Sequence, residues 1–213
     1  MKNFIINKQN GAVSEEFITR NIKDFHSATT YIAALPYKRN PDKSNVKCIF
    51  EDFGGTCSTK HAVLRKLAIE SKKYDVKLIL GIFKMDAEYT DKIRHTLEKF
   101  HLKYIPEAHN YLKIGSQYFD FTKTNSSYIQ FKNKLLIEVE IEYDEIDSEK
   151  IILHKNFLKE WIAETHIPYD LNEIWDIREQ CIKDLQQNEE IPVQYSSPIC
   201  FLNSPEVRDE FKP

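Results

Sequence analysis

Two of the five glycines in this 213-residue chain are adjacent, Gly54 and Gly55, and they come directly before Thr56 and Cys57. Because the chain has so few glycines, each is expected to mark a place where the backbone needs unusual freedom. The residues that follow have helical spacing, so the pattern predicts a sharp loop that delivers the cysteine to the start of a helix over residues 57–73.

A cysteine at the start of a helix has distinctive chemistry. The positive end of the helix dipole stabilises a thiolate, which lowers the pKa of the cysteine. The unpaired N–H groups of the first turn can also donate hydrogen bonds to an oxyanion that develops on a substrate. Such a nucleophile needs a histidine base and a group that orients the histidine.

His109 and Asp120 are the residues that meet these two needs. Strands are predicted over residues 104–114 and 117–122, joined by a short glycine-containing turn. The two side chains lie at similar distances from that turn, so they are expected to be direct or diagonal neighbours. Together with Cys57 they form a predicted catalytic triad.

The remaining patterns predict a mixed α+β fold in which the Cys57 helix packs on a small antiparallel sheet, next to a C-terminal helical pair. The other predicted elements are a short N-terminal strand within residues 1–12, a helix over 14–35 capped by Ser14, strands over 75–84 and 135–143, a polar helix over 88–100, and amphipathic helices over 148–164 and 171–187.

The predicted strand over residues 135–143 alternates apolar side chains with Glu138, Glu140 and Glu142, which indicates one buried face and one solvent-exposed acidic face. We divide the chain into a catalytic core, residues 1–147, and a C-terminal part, residues 148–213. The helical pair and an extended tail of this part are expected to pack on the core, so that the whole forms one domain.

Three short motifs, GGTCSTKH, EAHNYLKIG and YFDFT, follow one another along the chain. In this order they resemble the transglutaminase-like superfamily, which shares a papain-like core, and the resemblance covers about residues 30–125. It implies that Cys57 is the nucleophile, His109 the general base and acid, and Asp120 the carboxylate that orients the imidazole. The arylamine acetyltransferases also place a cysteine after a glycine pair, but they are longer proteins and remain the lesser alternative.

One position departs from the pattern of papain-type enzymes, which carry a glutamine a few residues before the cysteine to complete the oxyanion hole. Here that region contains acidic residues and no glutamine. A second oxyanion donor is therefore expected from Tyr37, Arg39 or Asn40.

His61 lies four residues after Cys57, on the same face of the predicted helix. We favour a role in packing or in supporting the site over a role as an alternative base. A metal pair formed by Cys57 and His61, with His109 as a further ligand, is a competing hypothesis. Because no complete ligand set can be placed, the prediction includes neither a metal nor a cofactor.

The other charged, thiol and indole side chains that stand out are not assigned to catalysis. Lys60 is expected to be solvated rather than to add positive potential near the thiolate. Arg178 lies in an apolar helical stripe, so it needs a carboxylate partner. For Arg178 a structural ion pair is favoured over a clamp for a substrate carboxylate. The remaining cysteines, Cys48, Cys181 and Cys200, are expected to be structural, and Trp161 and Trp175 to belong to the core of the helical pair.

Charge and hydropathy exclude several classes of partner. The net charge of −3, from 30 basic and 33 acidic residues, provides no electrostatic footprint for nucleic acid. No signal peptide is visible, and the longest apolar run, residues 78–83, is too short to cross a membrane. We therefore expect a cytoplasmic protein with reduced cysteines; the oligomeric state stays open.

Two functions compete at this stage. The first is a thiol-dependent acyl-transfer enzyme that hydrolyses an amide or peptide bond of a protein or small molecule through a thioester. Water is preferred over an amine as the acceptor because no feature marks an amine site. The alternative is a non-catalytic binding module on the same scaffold, which the missing glutamine favours.

Overall fold

The computed structural model of the protein describes residues 2–186. Within this part of the chain, a four-stranded antiparallel sheet is combined with helices in an α+β fold, and the strand order is β3-β2-β1-β4. The strands are β1 Val76–Met85, β2 Ile105–Ile114, β3 Gln117–Phe119 and β4 Leu135–Ile141. The α-helices are α1 Ala12–Thr19, α2 Phe25–Ala34, α3 Cys48–Glu51, α4 Cys57–Glu70, α5 Arg94–Lys99, α6 Ser148–Thr165 and α7 Leu171–Gln186.

The sheet is buried on both faces, and each face carries its own hydrophobic core. Alternate side chains of β1 point to opposite faces, so Leu78 and Leu80 pack with α1 to α4 while Ile79 and Phe83 pack with α6 and α7. Trp161 lies in the second core, as predicted, and donates its indole N–H to the hydroxyl of Tyr104 at 2.9 Å. Burial on both faces explains why β1 is apolar along most of its length.

The α+β class and most of the elements after residue 50 are confirmed. The predicted polar helix is shorter than expected, because a 3-10 turn, Asp91–Ile93, precedes α5. β3 ends at Phe119 rather than continuing to residue 122. On β4, Glu138 and Glu140 are exposed, as predicted from the alternation.

The N-terminal region differs from the prediction. Ile5 forms only an isolated bridge with Asp24, so the predicted strand is wrong. The single helix predicted over residues 14–35 is two helices, α1 and α2, and the break between them contains Asn21 in the left-handed region with φ 60°.

The start of α1 is also capped differently, because a distant side chain replaces the predicted Ser14 cap. Glu70, at the end of α4, accepts hydrogen bonds from the backbone N–H groups of Val13 and Ser14 at 3.1 and 2.7 Å. The helix begins after Gly11, where a Cβ atom would lie 2.2 Å from Cδ of Glu70. A carboxylate at this position also complements the helix dipole.

The C-terminal helices α6 and α7 cover the second face of the sheet. No helix within residues 2–186 combines the length and the apolar character needed to cross a membrane. The predicted extended tail and Cys200 lie outside the described residues.

Candidate active site

The glycine loop is held tightly against the segment that follows α2. The backbone N–H of Gly55 donates to the carbonyl of Pro36 at 3.1 Å. A Cβ on Gly54 would lie 2.9 Å from that same carbonyl oxygen, and a Cβ on Gly55 would lie 2.6 Å from Oγ1 of Thr59. Close packing therefore requires both glycines, and α4 begins at Cys57 as predicted.

The hairpin brings the predicted base and its orienting acid together. Nε2 of His109 lies 2.9 Å from Oδ2 of Asp120. The other carboxylate oxygen accepts hydrogen bonds from the backbone N–H and the hydroxyl of Thr122, at 2.9 and 2.6 Å. Asp120 is thereby fixed directly after the end of β3, where it orients the imidazole ring.

β3 pairs only with Leu112, Lys113 and Ile114 of β2, so β3 leaves the edge of β2 open beside His109. Cys57 lines the same cavity as His109 and Asp120. Burial would raise the pKa of the Cys57 thiol, but the positive charges of Lys150 and His109 outweigh it and lower the pKa to about 6. The His109 ring and the Asn110 backbone also favour the thiolate.

The histidine responds in the opposite direction. Burial would lower the pKa of His109, but the carboxylate of Asp120 and the charge of Cys57 outweigh burial and raise it to about 10. The same ion pair, acting against burial, holds the pKa of Asp120 well below its usual range. The two shifts, one downward and one upward, favour a thiolate beside an imidazolium at neutral pH.

The cleft beside these groups is a cavity of about 500 Å³. Cys57, His109 and Asp120 line it together with apolar and polar side chains. The apolar members include Phe83, Met85, Tyr89, Ile182 and Leu185. A cavity of this size holds a small molecule or one side chain of a larger substrate.

His61 links the helix that carries the cysteine to the loop that carries the aspartate. Its Nε2 accepts a hydrogen bond from the backbone N–H of Phe121 at 2.8 Å, so its Nδ1 carries the proton and donates to the carbonyl of Cys57 at 2.7 Å. Burial lowers the pKa of His61 to about 4, which keeps the ring neutral. Both nitrogens are engaged, which fits the favoured supporting role and leaves neither nitrogen for a metal.

The described residues also contain no cluster of three or more histidine, cysteine, aspartate or glutamate side chains that could hold a metal ion.

Lys60 is fully buried, so the prediction that it is solvated is wrong. Its ammonium donates to the backbone carbonyls of Leu35 and Thr122. The first turns of α4 are enclosed by the sheet, the end of α2 and the loop after β3. In this position Lys60 ties the loop that carries Asp120 to the helix that carries Cys57.

The three candidate oxyanion donors lie in different environments. Tyr37 lines the cavity with Cys57; burial and the nearby thiolate raise the pKa of its hydroxyl, which therefore stays protonated. Arg39 lies on the surface and pairs with Glu179 at 2.7 Å. Asn40 is buried and donates both amide hydrogens, to Asp52 and to the carbonyl of Gly54.

Lys150, near the start of α6, reaches the site and was missed by the sequence analysis. Its Nζ lies 3.9 Å from Sγ of Cys57 and 2.8 Å from both Ser58 Oγ and Asn110 Oδ1. A signal was present, because Lys150 occupies the same helical stripe as the buried residues His154, Leu158 and Trp161.

Arg178 has the carboxylate partner that its position requires. It forms two hydrogen bonds with Glu107, at 2.7 and 2.6 Å, and also contacts Glu179. Burial would raise the pKa of Glu107, but the Arg178 charge outweighs it and keeps the pKa low. Glu107 also forms part of the wall of the cavity that Cys57 lines.

Comparisons with protein-family models, with curated proteins and with solved structures found no match to this chain.

Proposed function

We propose that this protein is a thiol-dependent acyl-transfer enzyme on a transglutaminase-like, papain-like core, and that it hydrolyses an amide or peptide bond. One observation carries the proposal: the His109 ring is held by Asp120 at 2.9 Å and lies beside a Cys57 thiol whose pKa is lowered to about 6. A buried structural cysteine has no need of this arrangement, and Cys48 and Cys181 both have raised thiol pKa values.

The first half of the reaction forms a thioester. The Cys57 thiolate attacks the carbonyl carbon of the amide, and the C–O π electrons move onto the oxygen. As the tetrahedral intermediate collapses, the C–N bond breaks and the His109 imidazolium gives its proton to the departing amine. The products are the free amine, an acyl-Cys57 thioester and a neutral imidazole.

The second half returns the enzyme to its starting state. Neutral His109 takes a proton from a water molecule while the water oxygen attacks the thioester carbonyl. The C–S bond then breaks, the carboxylic acid leaves and Cys57 departs as a thiolate. Asp120 keeps the ring oriented in both halves.

Oxyanion stabilisation has two sources in this proposal. The first-turn N–H groups of α4, which begins at Cys57, have no partners within the helix and can donate to the developing charge. The protonated hydroxyl of Tyr37, which lines the same cavity, supplies the second donor. This assignment replaces the glutamine of papain-type enzymes with a tyrosine.

Labelling and acylation of the thiol test the proposal. Iodoacetamide at pH 7 should alkylate Cys57 much faster than Cys48 or Cys181, as located by peptide mass spectrometry. p-Nitrophenyl acetate, a generic acyl donor, should acetylate Cys57 and then release the acetyl group. The His109→Asn variant should lose the rapid acetylation and should be alkylated more slowly at pH 7, whereas Cys48→Ser, the matched control, should keep both reactions.

A non-catalytic binding module is the competing function. It predicts uniformly slow labelling of Cys57 at neutral pH and no acetylation that depends on His109. Either result in a folded protein would remove the enzymatic proposal.

A further inference from the structure

The ammonium of Lys150 is held in a specific buried polar site behind the nucleophile. Asn110, which is fully buried, donates its amide to the carbonyl of Ile79 at 3.2 Å and so turns its Oδ1 toward Lys150. The hydroxyl of Ser58 donates to the same Oδ1 at 3.0 Å, so its own oxygen is free to accept from the lysine. Both side chains therefore present acceptors to Nζ.

The hydrogen bonds of this ammonium point to the sulfur as its third partner. A lysine has three N–H donors. Two are used by the neutral oxygens of Ser58 and Asn110, and the third is directed at Sγ of Cys57, 3.9 Å away. A thiolate accepts that hydrogen far better than a thiol does.

No carboxylate within residues 2–186 forms an ion pair with Lys150. The carboxylate that acts on it most strongly, Glu107, is already held by two hydrogen bonds from Arg178. Burying a charge without an opposite charge is unfavourable. The Cys57 thiolate is therefore the anion that balances the Lys150 ammonium.

Other titratable and charged groups also face this pair. They are Tyr37, Tyr89 and His109 around the thiol, and Lys43, Glu107 and Arg178 around the ammonium. Of these groups, His109 is the cation that acts directly on the sulfur, so the contributions of Lys150 and His109 must be separated.

The two cations approach the sulfur from different sides. His109 and Asn110 are consecutive residues of β2, so their side chains lie on opposite faces of the sheet. Lys150 contacts the side chain of Asn110, whereas His109 lines the cavity. Lys150 is thus placed to act on the thiolate without meeting the substrate.

We propose that Lys150 is a second counter-ion of Cys57, which keeps the thiol ionised when His109 is neutral. The inference rests on Cys57 being the nucleophile proposed above. His109 is neutral in the acyl-enzyme and regains a proton only when water attacks, whereas Lys150 faces the sulfur throughout the cycle. With Lys150 in place, the Cys57 thiolate that is released when the C–S bond breaks forms next to the positive charge of the Lys150 ammonium.

In the acyl-enzyme, the Lys150 ammonium has no negative charge from Cys57 beside it. Acylation removes the negative charge of Cys57 and leaves the buried ammonium with neutral partners alone. This state is disfavoured relative to the free thiolate. Lys150 is therefore expected to shorten the lifetime of the thioester.

The test is the pH dependence of Cys57 alkylation by iodoacetamide in the full chain. We expect a midpoint near pH 6 in the unmodified protein and a rise of about 1 to 3 pH units in Lys150→Met, the size of shift that a nearby opposite charge produces. Lys150→Arg should keep most of the effect, and Lys159→Met, an exposed lysine of the same helix, should change nothing.

The alkylation midpoint of the His109→Asn variant is a second measurement, which does not depend on how Lys150 variants fold. With Lys150 still present, its midpoint should stay below about 8.5, the ordinary value for a cysteine, and the double variant Lys150→Met/His109→Asn should lose that residual shift. A His109→Asn midpoint at or above the ordinary value would overturn the inference.

Two further outcomes separate this inference from the proposed function. A midpoint near 6 in the unmodified protein that is unchanged in a folded Lys150→Met variant would reject the counter-ion and leave the enzyme. An ordinary midpoint in the unmodified protein would reject both. The acetyl-enzyme formed with p-nitrophenyl acetate should also persist several-fold longer in Lys150→Met, as followed by intact mass.

Discussion

The hydrogen bond between Nε2 of His109 and Oδ2 of Asp120, 2.9 Å long, determines which nitrogen of the histidine serves the thiol. Because Nε2 is committed to the carboxylate, Nδ1 is the nitrogen that remains for Cys57. The aspartate is itself held by Thr122, so the ring is positioned from the loop after β3. Four predictions test how this arrangement works.

Asp120→Asn should lower the rate of Cys57 acetylation by p-nitrophenyl acetate by about 10²- to 10⁴-fold. The amide removes the charge that raises the pKa of His109 and can present the wrong hydrogen-bonding atom to Nε2. Asp91→Asn, which alters an exposed carboxylate paired with Arg94, is the matched control and should leave the rate unchanged. Equal rates in a folded Asp120→Asn variant would remove Asp120 from the mechanism.

The His109 ring should stay protonated up to about pH 10 when its chemical shifts are followed by NMR. The negative charge of Cys57 stabilises the imidazolium. Cys57→Ser removes this charge, so the pKa of His109 should fall. Cys48→Ser should leave the titration unchanged. A histidine that titrates near its ordinary value of about 6.5 in the unmodified protein would contradict the ion pair.

Tyr37→Phe should separate oxyanion stabilisation from thiol ionisation. Loss of the hydroxyl should slow acetylation by about 10²- to 10³-fold, the effect of removing one oxyanion donor. Alkylation by iodoacetamide forms no oxyanion, so its rate at pH 7 should change little. If both rates remain unchanged, another group is the second donor.

The free energy of unfolding should decrease as the pH falls from about 6.5 to 4, in part because of His61. Its pKa is about 6.5 in the unfolded chain and is lowered by burial to about 4 in the folded protein. Below pH 6.5 the unfolded chain therefore binds the proton first, and the folded state loses roughly 2–4 kcal/mol across this window.

Urea unfolding at several pH values, in the unmodified protein and in His61→Gln, measures this contribution. The variant should lose less stability between pH 6.5 and 4 than the unmodified protein. His26→Gln, which alters an exposed histidine, should retain the full decrease. Parallel pH curves for the unmodified protein and His61→Gln would show that His61 is not kept neutral by the fold.

The strands and helices near the site could be predicted because their signals are local. The alternation in β4 and the apolar stripe of α7 depend on the repeat of the backbone itself. The glycine pair before Cys57 and the turn between β2 and β3 have equally local causes. These signals were enough to bring His109 and Asp120 together, since a short hairpin leaves few ways to pair the two segments.

The failures share the opposite cause, which is contact between segments that are distant in sequence. Glu70 caps α1 from 56 residues away and replaces the local cap of Ser14. The burial of Lys60 depends on carbonyls at Leu35 and Thr122. No hydrophobic periodicity and no turn residue in the sequence predicts either of these two contacts.

From the sequence alone came the α+β class, the helix that starts at Cys57 and the hairpin that pairs His109 with Asp120, because short-range geometry and residue chemistry determine each of them. The tertiary structure alone decided that a lysine 93 residues from Cys57 lies beside its sulfur. That position follows from the packing of the start of α6 beside β2, and the energy of a buried charge depends on which groups the whole fold gathers around it.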